Sequence, residues 1–188
     1  MPVRRRGPCW WRSIAGSATA PLPPPSRYPS RSDGTLVPPT IEDVGFPGIP
    51  GFAYTSRIAR PAVIKSEEMP PLKGAAYPVF VPKTNADGSD IAGLHLPTLE
   101  ATAATHAGWN LRKASFGEGE LCDNNGSMIP FAATREERLQ NNDPRLSMAE
   151  RYPNEGDRAA AIAKAAQQLV QDRLLLEDDA RLFAANVN

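Results

Sequence analysis

Apolar residues in the last third of the chain recur at intervals of three and four. Ile162, Ala163, Ala166, Leu169, Val170 and Leu174 form one stripe, while Lys164, Gln167, Gln168, Gln171 and Asp172 lie mostly elsewhere on the wheel. This spacing predicts a helix over about Glu155 to Leu175, opened by Asn154. The following "EDDARLFAAN" predicts another, with three leading acids favourable against the helix dipole and with Leu182 and Phe183 buried. Two shorter helices carry capping-box signatures: Thr134 with Glu137 before "REERLQNN", and Ser147 with Glu150 before "MAERY". Between them, "NNDPR" breaks the chain.

Upstream the pattern changes. Of the 20 prolines, 16 lie at or before Pro82, in a chain whose proline share is about twice the usual ~5%. Proline fixes φ and removes an amide donor, so this part is predicted to be extended and loop-like. "PLPPPSRYPSRSDGTLVPP" reads as a polyproline-type arm ending in a turn at Asp33-Gly34. In "GFPGIPGFAYTSRIARP", Phe46, Ile49 and Phe52 are expected to pin irregular chain to a neighbouring surface. "YPVFVPKTNADGSDIAGLHLP" reads as two short extended runs around a turn at Asp87-Gly88, the first confined to a sheet edge by Pro78 and Pro82. "NADGSD" imitates a calcium loop, but the first ligand would be Lys83 and the twelfth Leu94, and neither coordinates Ca²⁺. The expected organisation is an atypical segment over 1–22, a proline-rich arm over 23–82, and a mainly helical part with a short β-turn unit over 83–188.

Composition narrows the function classes. Lys plus Arg and Asp plus Glu are 21 each, so no global field favours nucleic acid as a partner. Cys9 and Cys122 are too few for a disulfide framework or a zinc site, and His95 and His106 too few for a His-rich one. No metal and no cofactor is expected. No apolar run approaches the ~18 residues of a membrane span. At the N-terminus, Arg12 interrupts the apolar region that a secretory signal needs, so a cytoplasmic location is favoured. Shifted one base earlier, the codons of Pro8 to Ile14 encode an apolar, helix-compatible string. A frameshifted or mis-started coding sequence is the reading that follows.

Polar chemistry concentrates in "THAGWNLRKASFGEGELCDNNGSMIPF", residues 105–131. Beside Trp109, His106 is a candidate general base or a structural hydrogen bonder. Asn110 and Arg112 alternate with Trp109 and Leu111 and so share a face of an extended segment. They can hold a substrate carboxylate or carbonyl, or they can satisfy the carbonyls of the glycine-rich loop that follows; the second is preferred. A Cys122–His106 nucleophile pair would need a hydrogen bond that spacing does not establish. Around Ser17 and Ser127 the second glycine of G-x-S-x-G is missing, and Ser127 reads as a turn residue.

The ordered blocks "PPPSRYPSRSDGTLVPP", "FPGIPG", "VPKTNADGSDIAGLHLP", "GWNLRKASFGEGELCDNNGSMIPFAATREERLQNNDPRLSMAERY" and "LVQDRLLLEDDARL" closely resemble the C-terminal part of a bacterial family of large α/β-hydrolase domain-containing proteins, over about Pro23 to Phe183. The resemblance implies an α/β fold for the intact protein and hydrolysis of a small ester-like substrate. It also implies a serine nucleophile in a turn upstream of these residues, with an acid and a histidine. The partner so implied is the upstream hydrolase core, with Trp109, Asn110 and Arg112 as candidate pocket-wall residues and His106 the weakest catalytic candidate. The chain alone is expected to be catalytically silent. The other class of function left open is a non-enzymatic interaction module, with the proline arm as a ligand for an aromatic groove.

Overall fold

The computed structural model describes residues 22–55, 57–123 and 125–185. The reading-frame and signal-sequence expectations for the first residues, and Ser17, lie outside them. Six helices are described: α1 (Ile41–Val44), α2 (Pro97–Glu100), α3 (Arg135–Gln140), α4 (Met148–Arg151), α5 (Asp157–Gln171) and α6 (Glu177–Ala185). The strands are β1 (Leu36–Val37), β2 (Ala62–Lys65), β3 (Leu72–Ala76), β4 (Val81–Pro82), β5 (Ala104–Ala107) and β6 (Ser127–Pro130). They pair antiparallel as β1–β4, β2–β3 and β5–β6, giving three two-stranded sheets among the described residues. The chain divides into two compact units.

One unit is helical and comprises 22–27, 94–103 and 148–185. Helix α5 packs against α6 and α2 and buries Ile162, Ala166 and Leu169, three of the six stripe positions; Ala163, Val170 and Leu174 are half-buried. The helix begins two residues later than the spacing predicts. Gly156 takes a left-handed φ of 90°, and the Asp157 carboxylate accepts hydrogen bonds from the Asn154 backbone and side-chain nitrogens at 2.9 and 3.0 Å. It also stops earlier. Arg173 adopts φ 61°, its amide donating to Val170 O at 2.9 Å and that of Leu174 to Leu169 O at 2.8 Å. This double bond is a Schellman stop, formed here without glycine.

In α6 the expectation for Leu182 fails. The buried residue is Ala180, and Leu182, two positions and about 200° further round the helix, is 60% exposed. Phe183, three positions on from Ala180, is half-buried as the stripe requires. The first residues of the proline-rich stretch, 22–27, are tied within the helical unit: Arg27 pairs with Asp172 at 2.5 Å, and Arg173 donates to Leu22 O at 2.9 Å.

The second unit comprises 28–93 and 104–147. Its core is Val44, Phe46 and Ile49, with Val37, Phe52, Tyr54, Val81, Trp109 and Ile129 packed against it. Phe46 and Ile49 are thus the anchors of irregular chain that the pattern predicts. Helix α1, unforeseen in the pattern, is capped by Thr40, whose hydroxyl accepts from the Asp43 amide at 3.2 Å. Hairpin β2–β3 was also unforeseen, since Pro70 and Pro71 in its connection read as arm.

The turn at Asp87-Gly88 forms as predicted. The Asn85 side chain accepts from the amides of Asp87 and Ser89 at 2.9 and 3.1 Å. Gly88 has φ 77°, and a Cβ there would stand 2.9 Å from both Phe46 and Thr105, so only glycine fits.

A buried ion pair joins this turn to the hairpin. Helix α3 is capped by Thr134, which accepts from the Glu137 amide at 3.2 Å; the Glu137 carboxylate reaches back to the Ala133 amide at 2.8 Å. The helix then stops at Asn142, φ 54°, with the Asn142 amide on Leu139 O and the Asp143 amide on Arg138 O at 2.9 Å. That stop delivers Asp143, and two residues on Arg145, to the end of β6.

Arg145 is 3% exposed, yet all five of its N–H donors are used. Nε and one terminal nitrogen clasp the two Asp143 oxygens at 2.9 and 2.6 Å, and that terminal nitrogen also donates to Pro130 O at 3.2 Å. The other terminal nitrogen donates to Thr105 Oγ1 at 2.8 Å and Ile129 O at 3.0 Å. The wholly buried Thr105 hydroxyl in turn donates to Asp87 O. Burial pushes the Asp143 carboxyl up. The hydrogen bonds and charge of Arg145, with the Arg138 charge behind them, outweigh burial and hold it below its ordinary 3.8.

Three expectations follow. Ile162→Ala, which empties a fully buried site on α5, lowers stability by about 2–5 kcal/mol in urea unfolding followed by circular dichroism. Arg145→Leu costs about 3–5 kcal/mol in the same measurement, because it strands a buried carboxylate. Since the folded-state value of Asp143 lies below the unfolded one, its contribution is whole above about pH 4 and is lost as pH falls through the folded value. Unfolding midpoints across that acid range should therefore fall less steeply in Asp143→Asn than in the wild type.

Candidate functional site

The polar stretch singled out from the sequence is the β5–β6 hairpin and its long connection. Ala104 pairs with Pro130, Thr105 with Ile129, His106 with Met128 and Ala107 with Ser127. Strand alternation turns Thr105 and Ala107 inward and His106 outward, where it is exposed. Beyond Ala107 the two limbs stay together through a bridge between Leu111 and Leu121. The Cys122 amide donates to Asn110 O at 2.7 Å, and the Arg112 amide to Glu120 O at 2.8 Å. A single 3₁₀ turn, Ala114–Phe116, fills the tip.

Trp109 is the best-held residue of the connection. Its indole N–H donates to Ala53 O at 3.1 Å. Its ring lies 5.2 Å from Phe46, 5.6 Å from Phe52 and 5.6 Å from Tyr54, centroid to centroid, the last edge-on. Aromatic contacts of this kind stabilise by about 0.5–1.5 kcal/mol each beyond the area they bury. Tyr54 is itself fixed by donating to Pro39 O at 3.3 Å, and burial pushes its phenol up. The indole is therefore held by chain that the sequence places more than fifty residues away. Ser127, at the start of β6, donates its hydroxyl proton to Trp109 O at 2.9 Å.

The other candidates are placed as follows. Asn110 and Arg112 are exposed neighbours of Trp109, and Arg112 Nε donates to Leu121 O at 3.2 Å. One loop carbonyl is thus satisfied by Arg112 itself, and the remainder of its fork faces solvent. Glu120 pairs with Arg57 at 2.5 Å, both exposed, which tethers the loop to the segment after the aromatic anchors. Such an exposed pair contributes about 0–1 kcal/mol. Cys122 is a half-buried free thiol on the returning limb. Trp109, Asn110, Arg112 and Ser127 are therefore brought into one connected element, with His106 on its outer face.

Sequence reasoning passed over Arg57, Glu120 as its partner, and Tyr54. The signal for Tyr54 was its place in the Phe46–Phe52 aromatic run; the Arg57 pairing had no local signal. In the helical unit, His95 Nδ1 lies 2.9 Å from Glu100 Oε1, and His95 Nε2 is buried without a hydrogen-bond partner among the described residues. Among the described residues no group of three or more His, Cys, Asp and Glu is placed to hold a metal ion. No helix of the described residues is long and apolar enough to cross a membrane.

A family model described as an alpha/beta hydrolase domain matches residues 19–185. No curated protein and no solved structure matches the chain. The family match runs through both compact units and through the whole Trp109-to-Ser127 connection, so the chain belongs to the α/β-hydrolase domain family.

Proposed function

We propose that this chain is the C-terminal portion of an α/β-hydrolase that acts on a small ester-like substrate, and that it completes the hydrolase body without supplying the nucleophile. In this reading the segment from Trp109 to Arg112 walls the substrate pocket, with the indole as its rigid part and Asn110 and Arg112 as polar contacts. The partner is the hydrolase core, which holds the serine, the oxyanion donors and the pocket floor.

The observation that carries the reading is the hydrogen bond from Ser127 Oγ to Trp109 O. A catalytic serine gives its proton to a base and presents a free lone pair to the substrate. Ser127 gives it to a main-chain carbonyl, and its sequence setting lacks the second glycine of a nucleophile turn. The hydroxyl fastens β6 to Trp109, which is what a wall requires. Exposed Asn110 and the free part of the Arg112 fork suit a carbonyl or carboxylate oxygen, since both present N–H donors in a plane. Anchoring of Leu22 and Arg27 to the helical unit weighs against a proline arm offered freely to another protein.

The purified 188-residue chain is expected to give no turnover of a p-nitrophenyl ester above the buffer rate, and Ser127→Ala and Cys122→Ala should leave that result unchanged. Turnover by the wild-type chain that either substitution abolishes would overturn the proposal.

A further inference from the structure

Three dipeptides in the chain place glycine after an aspartate or an asparagine: Asp33-Gly34, Asp87-Gly88 and Asn125-Gly126. Glycine lacks a Cβ, so its amide nitrogen can swing most freely towards the preceding side-chain carbonyl. In two of the three the fold prevents this. Gly34 and Gly88 are held at φ 73° and 77°, and their amides donate to Arg31 O at 3.4 Å and Asn85 O at 3.0 Å.

Asn125-Gly126 differs in each respect. Asn125 is exposed, Gly126 lies outside the left-handed region, and its amide donates to none of the described residues' carbonyls. The preceding group is an amide, a better electrophile at neutral pH than the carboxylates of Asp33 and Asp87. The fold also requires this glycine. A Cβ at position 126 would stand 2.7 Å from Ala107 O, so no larger residue fits without moving the hairpin.

We infer that Asn125 is a site of spontaneous deamidation, and that the modification loosens the point where the β5–β6 ladder begins. The Gly126 nitrogen loses its proton and bonds to the Asn125 side-chain carbonyl carbon. The bond from that carbon to the side-chain nitrogen breaks, and ammonia leaves with the two amide protons and the one from Gly126. Water then opens the cyclic imide at either carbonyl to give aspartate or isoaspartate. No oxidant, reductant or enzyme takes part.

Isoaspartate adds a methylene to the main chain immediately before Gly126, where there is no room for even a Cβ beside Ala107 O, and either product adds a carboxylate. The Ala107–Ser127 pair is the first rung affected, and with it the Ser127 hydroxyl bond that holds Trp109.

The test is to hold the full chain in neutral and mildly alkaline buffers and follow ammonia release, peptide masses and isoaspartate content. Fractions separated by charge are then compared by hydrogen exchange. Asn125 should convert before the other asparagines and faster at the higher pH, and the modified fraction should exchange the Ala107 and Ser127 amides faster than the unmodified one. Asn125→Gln, which leaves Gly126 in place, should lose the modified peptide altogether. Conversion of Asn85, Asn110, Asn141 or Asn154 ahead of Asn125, or no conversion, would overturn the inference. So would equal exchange in the two fractions.

Discussion

The Arg145 guanidinium is the constraint on which the sheet-bearing unit depends. It is buried, and a buried charge is tolerated only when its partners are complete. Here they come from four places: the Asp143 carboxylate, the Thr105 hydroxyl, and the carbonyls of Ile129 and Pro130. Through Thr105 the network also reaches the carbonyl of Asp87. One side chain therefore fixes a helix stop, a two-stranded ladder and a tight turn relative to one another. The Phe131 ring, whose centroid lies 5.1 Å from the guanidinium carbon, covers the charge on a further side. With Arg145 and Pro130 at its end, β6 also offers fewer unpaired groups to a foreign strand.

From this frame the Trp109 connection inherits its rigidity. The ladder sets where Ala107 and Ser127 lie, and Ser127 then holds the Trp109 carbonyl. The indole enters a ring cluster contributed by Phe46, Phe52 and Tyr54, and Phe46 also closes over Gly88. The same aromatic side chain thus serves the turn and the Trp109 anchor. A long loop would ordinarily be mobile; this one is fastened by a side-chain bond and an aromatic anchor at its root and by a backbone bridge further out at Leu111 and Leu121. An element of that kind has the rigidity that the pocket wall proposed above would need.

The helical unit is organised by its helix ends as much as by its stripe. Gly156 and Asp157 set the start of α5, and the left-handed Arg173 sets its end. A non-glycine residue in that conformation costs about 1 kcal/mol. The Schellman bonds and the hydrogen bond from Arg173 to Leu22 O offset that cost and turn the chain into α6. Asp172, beside it, is held below the ordinary carboxylate range by hydrogen bonds from Arg27 and Gln168. The Arg27 contact joins residues 22–27, the start of the proline-rich stretch, to α5, so their stiffness serves the fold of the helical unit.

Local and periodic signals were sufficient for much of this. The α5 stripe, the Thr134 cap, the break at "NNDPR", the turn at Asp87-Gly88 and the anchoring role of Phe46 and Ile49 all follow from residue type and spacing, because each is settled within a few residues. The exposure of Leu182 was misread because α5, outside the segment, decides which face of α6 is buried. The start of α5 and hairpin β2–β3 were missed although Gly156, Asp157 and the paired strands settle them within a few residues. The candidate site divides the same way. Residues 105–131 were recognisable as a polar connection, and Arg112 as a group able to satisfy its own loop. That Trp109 meets the edge of Tyr54, that Glu120 meets Arg57, and that Arg145 also reaches Ile129, Pro130 and Thr105 depended on contacts between residues from about fifteen to just over sixty positions apart. Such contacts have no period and no motif; they exist only once the chain has closed on itself, and the tertiary structure alone decided them.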